Sequence, residues 1–258
     1  MSKPLDECAV VITGGTSGVG LATAHAFAQA GVSRLILIGR DPARGAAAAA
    51  GVSSAYPKTT AHFLPADAND AADAKRVILE AHWLLDGLDV LVNSTTATYT
   101  PHLCHDLALE DIAAILTQQA LAPMHMSRAA LPLMRAQHSG VILNLASDAA
   151  KVPTPGETVI GAAMAAIVTF TRTLAIEAKR DGIRVNAITP SLIVNTPTSE
   201  RVMADGFSKK LFQAAAAMAH LGPTEPEDLA ALIVVLAGPG ASRITGQAIS
   251  VNGGISAA

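Results

Sequence analysis

Seven short runs rich in strand-forming residues recur along the chain, and longer segments with apolar residues every three or four positions separate them. The runs are AVVIT (9–13), LILIG (35–39), HFLPA (62–66), DVLVN (89–93), VILNLA (141–146), IRVNAI (183–188) and AISVN (248–252). Stretches such as 20–30 and 162–179 between them carry helical periodicity. A strand that is almost wholly apolar needs cover on both faces, and a helical crossover has to fold back onto the sheet it left. The alternation therefore predicts an α/β chain: a single Rossmann-type, doubly wound parallel sheet of seven strands with helices on both faces.

No charge run, proline-rich linker or internal repeat marks a boundary within the 258 residues, so residues 1–258 are expected to form one domain. The run Ala46–Ala50 reads as a thin surface helix. Residues 190–222 lack a strand and hold amphipathic pieces, which suits a lid over a substrate or an ordinary helical excursion. Lys and Arg number 18 against 21 Asp and Glu, leaving no cationic excess for nucleic acid or an anionic membrane. Cys8 and Cys104 are the only cysteines, which excludes a disulfide framework and a zinc spacing and favours a reduced, cytoplasmic setting. No continuous apolar stretch reaches about 18 residues, so neither a membrane span nor a signal peptide is expected.

The most informative motif follows the first strand: TGGTSGVG, Thr13 to Gly20, leading into LATAHAFAQAG. Glycines at Gly14, Gly18 and Gly20 let a backbone turn tightly and approach a pyrophosphate, which then faces the positive end of the helix. Thr16, Ser17 and Val19 complete the expected phosphate cradle. The second strand ends in Gly39-Arg40-Asp41, about 20 residues past the last glycine, where such folds read the ribose. Gly39 leaves the acidic slot empty and Arg40 offers a guanidinium for a 2′-phosphate, which favours NADP over NAD. A solvated or helix-capping Arg40, with Asp41 turned inward, is the competing reading.

With these motifs in order, the chain resembles the short-chain dehydrogenase/reductase family over nearly its whole length. Thr13 to Gly20 matches TGxxxGxG; Asp67-Ala68 looks like the pair beside the adenine; Asn93 opens the segment after the fourth strand; PTEPEDLA, ITGQ and VNGG resemble the family's ending. The resemblance implies hydride transfer between a nicotinamide and a carbonyl or alcohol carbon. It also implies a homo-oligomer, dimer or tetramer, and backbone contact of Ile193 with the carboxamide.

In the family a tyrosine exchanges the proton, a lysine four residues on lowers its pKa and a serine polarises the substrate oxygen, since a phenol near pKa 10 works at neutral pH only beside a cation. Alignment through Thr169 to Ala175 puts Ile160 and Met164 at the tyrosine and lysine positions, while Ser147 keeps the serine position 13 residues before Ile160. Gln119 falls on the family's helix asparagine, and NNAG reads Asn93-Ser94-Thr95-Thr96. The chain has two tyrosines, and Tyr99 lies in TYTPHLCH with His102, Cys104 and His105, so Tyr99, a loop histidine or water is the alternative proton donor; a solvated loop, or one that packs a histidine against a neighbouring subunit, is the competing reading. Asp148, Lys151 and Glu157 could line the cleft or form a charged surface loop. No metal spacing is present. These residues imply an NADP(H)-dependent oxidoreductase acting on a small apolar substrate through a non-standard proton donor. The alternatives are a catalytically silent NADP(H)-binding or partner-supporting protein, and a non-redox lyase on the same scaffold.

Overall fold

Parallel strands need long crossovers, and every apolar run here leads into a helix before the next strand begins. A computed structural model describes residues 3–258. Its strands are β1 (Ala9–Thr13), β2 (Arg34–Gly39), β3 (Thr60–Pro65), β4 (Val90–Asn93), β5 (Gly140–Leu145), β6 (Ile183–Pro190) and β7 (Ala248–Val251). The helices are α1 (Gly18–Gln29), α2 (Pro42–Ala55), α3 (Ala71–Leu85), α4 (Asp111–Gln137), α5 (Thr158–Ala178), α6 (Pro197–Ala204), α7 (Gly206–Met218) and α8 (Pro226–Ala237). All strand pairs are parallel, in the order β3-β2-β1-β4-β5-β6-β7. The doubly wound seven-stranded sheet is as the sequence predicts.

Alternation along each strand divides the core between the two faces. Val11, Ile36, Leu91, Ile142 and Val185 point to one side and meet Val77, Met126 and Leu174 from α3, α4 and α5. Val10, Ile12, Leu35 and Leu37 point to the other, against Phe27, Val52 and Leu229 from α1, α2 and α8. The sequence reading was less accurate at the margins. β3 starts two residues earlier than HFLPA, because its ladder with β2 begins at Arg34 opposite Thr60 and recruits Thr60 and Ala61 despite their weak hydropathy. As an edge strand it buries only Leu64, with Ala61 and Phe63 half-buried. β6 runs on to Pro190 because β7 pairs with it that far.

A second difference concerns length and hydropathy. Thr158–Asp181 is long and apolar enough to cross a membrane, with a mean hydropathy of 1.8 in its best window, although no continuous apolar run is that long. Averaging over 18 residues tolerates the threonines and Arg172 that interrupt it. In the fold this segment packs against α4 and β6, burying Met164, Ile167, Val168 and Leu174.

The order reverses between β1 and β4, which opens a crevice at their carboxyl ends. A buried amide network ties the strands there. Asn93 at the end of β4 accepts from Thr13 Oγ1 at 3.2 Å and donates Nδ2 to Asn144 Oδ1 at 2.8 Å and Ser127 Oγ at 3.3 Å. Asn144 in turn donates to Thr171 Oγ1 at 2.9 Å on α5. Replacing Asn93 with Ala leaves a hydroxyl and an amide oxygen without their partners, so urea unfolding should report a loss of about 2–4 kcal/mol.

Candidate active site

At the carboxyl ends of these strands lies a cavity of about 410 Å³, walled by the glycine turn, the end of β2, the segments after β4 and β6, and helices α6 and α7. The glycine turn sets its floor. Gly14 has φ +67°, and a Cβ there would fall 2.4 Å from Ser94 O, so only glycine lets β1 leave the sheet beside β4. Ser17 sits at the N-cap of α1 in an extended conformation and makes no side-chain cap bond. Thr16, Ser17, Gly18 and Val19 all border the cavity, so the uncapped positive end of α1 faces it.

Arg40 lies on the wall where β2 ends, and Arg44 joins it from the first turn of α2. Asp41 is the N-cap of α2, and its Oδ1 accepts from Arg44 N at 3.0 Å. A Cβ on Gly39 would stand 3.0 Å from Thr16 Cγ2, a crowded position for an acidic side chain. Arg44 was missed in the sequence, although Asp41-Pro42 is a helix start that puts Arg44 in its first turn. Asp67 and Ala68 border the same end, and Asp67 Oδ1 accepts from Asn69 N at 3.0 Å. Ile193 reaches the opposite wall, held by its bridge to Thr224. An anion-seeking helix end, a glycine floor and two guanidiniums without a carboxylate partner among the described residues fit a dinucleotide phosphate.

Several expected site residues do other work. Gly20 does not border the cavity; a Cβ there would fall 2.2 Å from Gly14 O, so it serves the close packing of α1 on the turn. Asn93 is buried in the amide network rather than on the wall. Ser147 and Tyr99 each stand one residue beyond wall residues, Ala146 and Thr98, so the structure does not bring either onto the lining. Ser147 Oγ accepts from Ala149 N at 3.2 Å, leaving its O–H free. His102, Cys104 and His105 lie outside the lining as well, and Cys104 is exposed.

Asp148 and Lys151 are likewise removed from the cleft. Ser250 Oγ and Ser256 Oγ donate to Asp148 at 2.9 Å and 2.8 Å, Asn252 Nδ2 donates to it too, and Lys151 Nζ donates to Ala258 O at 2.7 Å. Burial pushes the Asp148 carboxyl up, but the hydrogen bonds from Asn252, Ser256 and Ser250 outweigh it and hold the group below the ordinary carboxylate range. Both residues fasten the C-terminal segment to the stretch between β5 and α5.

The catalytic corner expected from the resemblance is apolar. Met164 borders the cavity and is 8% exposed, and Ile160 packs on it in a cluster with Ala120, Ala163 and Ile167. Gln119 is buried and its Oε1 accepts from Ala97 N at 3.4 Å, so it pins the segment after β4. Glu157 lies one turn before Ile160, at the N-cap of α5, and burial raises its carboxyl to about 7. Among the described residues no cluster of His, Cys, Asp and Glu could hold a metal ion.

A parallel sheet of this order with a glycine turn aimed into its crevice defines a Rossmann-type dinucleotide-binding protein. Residues 14–256 match the family model described as enoyl-(acyl carrier protein) reductase. The chain is 31% identical over 258 residues to 2-(S)-hydroxypropyl-CoM dehydrogenase 3 of Xanthobacter autotrophicus, covering all of both chains. It is 30% identical over 256 residues to D-beta-hydroxybutyrate dehydrogenase of Rhizobium meliloti, covering 95% of this chain and 96% of that one. The crystal structure of levodione reductase superposes with a TM-score of 0.89 at 25% identity, over 96% of this chain and 97% of that one. The chain belongs to the short-chain dehydrogenase/reductase family.

The raised Glu157 carboxyl has a consequence for stability. Its pKa moves from 4.5 unfolded to about 7 folded, so the fold prefers the protonated form and loses stability as pH rises between those values. Glu157→Gln removes that dependence. Urea midpoints should show the variant gaining on the unaltered protein from pH 5 upward and holding a constant advantage above about pH 7.

Proposed function

We propose that this protein is an NADP(H)-dependent oxidoreductase that interconverts a carbonyl and an alcohol on a small, largely apolar substrate. The observation that carries the cofactor preference is the pair Arg40 and Arg44 at one end of the cavity, with Asp41 engaged as a helix cap. Two guanidiniums suit a 2′-phosphate, and one oxygen of the neighbouring Asp41 carboxylate is engaged in capping α2. Gly14, Thr16, Ser17, Gly18 and Val19 cradle the pyrophosphate, Asp67 and Ala68 flank the adenine, and the Ile193 backbone meets the carboxamide. Bound NADPH would supply the hydride.

Ser147 polarises the substrate oxygen and Tyr99 returns the proton, each reaching in from one residue beyond the cavity wall. Tyr56, the other phenol, closes α2 at the far edge of the sheet, against His25 with ring centroids 5.8 Å apart, and takes no part. The segment of α6 and α7 acts as the lid, and the family likeness supports a homo-oligomer. A second reading, a catalytically silent NADP(H)-binding protein, is favoured by the packing of Ile160 and Met164 in an apolar cluster where proton chemistry is otherwise expected.

Two measurements test these readings. With saturating NADPH and a panel of ketones, quinones and enones, absorbance should fall at a slow but measurable rate; cofactor binding without any turnover selects the silent binder. In calorimetric titrations Arg40→Ala and Arg44→Ala should each weaken NADP⁺ about 10- to 100-fold while changing NAD⁺ by no more than about 3-fold. Equal losses for both nucleotides would contradict the assignment of the 2′-phosphate.

A further inference from the structure

The cavity has three arginines and one carboxylate on its walls, and two of those arginines, with Asp67, belong to the end assigned to the adenosine. The third, Arg201, stands alone on α6. Thr196, just before α6, lies against the glycine turn, with its Cγ2 3.6 Å from where a Cβ on Gly18 would be. Five residues on, at about 1.5 Å per residue, the helix has carried Arg201 away from that turn and toward the segment after β4. There its Nη2 donates to Thr198 Oγ1 at 3.1 Å and to Ala97 O at 3.5 Å. Ala97 is itself held by Gln119.

These contacts fix the guanidinium against the wall without neutralising it. Among the described residues no carboxylate comes within 4.0 Å of Arg201, and its Nε and Nη1 have no protein acceptor. The walls at this end are otherwise neutral: Thr98, Gln118, Met164 and Phe212. A partly buried cation with spare donors in a fork suits a planar anion, and the apolar neighbours strengthen such a pair by excluding water.

We infer that Arg201 binds an anionic group, a carboxylate or its equivalent, on a substrate whose apolar body lies against Met164 and Phe212. The inference rests on reading the cavity as the shared cofactor and substrate site, and it narrows the substrate from apolar to amphiphilic. The same chemistry could be met by the cofactor's pyrophosphate, so the test has an arm for each source.

Hexanoate and its neutral isostere hexanamide are titrated calorimetrically into the protein with and without saturating NADP⁺, and NADP⁺ is titrated separately. Hexanoate should bind about 10-fold or more tighter than hexanamide. Arg201→Met should bring the two within about 2-fold and leave NADP⁺ affinity within about 2-fold, whereas Arg201→Lys, which keeps the charge but loses the fork, should retain only part of the preference, about 3-fold. Thermal midpoints confirm that each variant is folded, and the lysine variant carries the comparison if the methionine one is not. The inference is overturned if the unaltered protein shows no preference, if the preference survives loss of the charge, or if Arg201→Met weakens NADP⁺ by about 10-fold, which assigns the group to the cofactor. Failure of the unaltered protein to bind NADP⁺ overturns the proposed function instead, and the titration without nucleotide then decides the role of Arg201.

Discussion

The contact on which the site depends is the seating of α1 on its own glycine turn. Gly20 lies so close to the Gly14 carbonyl that a single Cβ would approach it to 2.2 Å, and Gly14 is equally close to Ser94 at the end of β4. Three backbone segments therefore meet with no side chain between them. That closeness aims the uncapped N-terminus of α1 into the crevice between β1 and β4 and leaves its N–H groups and dipole toward the cavity. The amide chain from Asn93 through Asn144 to Thr171 fixes the strands and α5 around the same point. Everything else in the site is placed relative to that junction.

The architecture was legible because it is written in patterns that repeat. Val10, Val11 and Ile12 are apolar on both faces of one strand, and such a strand has few places other than the middle of a covered parallel sheet. The edges were harder to read: Thr60 and Ala61 enter β3 through pairing with β2, which no local hydropathy reveals. The glycine turn was legible as a motif, but the motif did not separate Gly18, which borders the cavity, from Gly20, which only packs. Arg44 had a local signal in the Asp41-Pro42 helix start, whereas Arg201 reaches the cavity through a long-range fold that spacing alone does not encode. Asp148 and Lys151 looked like cleft residues because they neighbour Ser147, yet their partners are about 100 positions away in the C-terminal segment.

The two ends of the cavity follow different chemical logic. The end near β2 carries exposed cationic groups and a helix dipole, features that cost little in the free protein because water solvates them. The end near α5 is apolar: Ile160 and Met164, at the positions where the family resemblance led us to expect a phenol and an ammonium, pack with Ala120, Ala163 and Ile167. On the proposed reading a lysine at Met164 without its phenol would be an uncompensated charge beside that cluster. On the proposed reading, the scaffold that would position a cofactor is separable from the pair that would move a proton, since the glycine junction and the amide network do not pass through either side chain.

That separation is the central claim, and the double variant Ile160→Tyr with Met164→Lys tests it most directly. If the cofactor end is intact and only the proton relay differs, the variant should reduce simple ketones with NADPH at least about 10²-fold faster than the unaltered protein, with NADP⁺ affinity unchanged. A folded variant that binds NADP⁺ equally well and shows no gain on any ketone would contradict the claim.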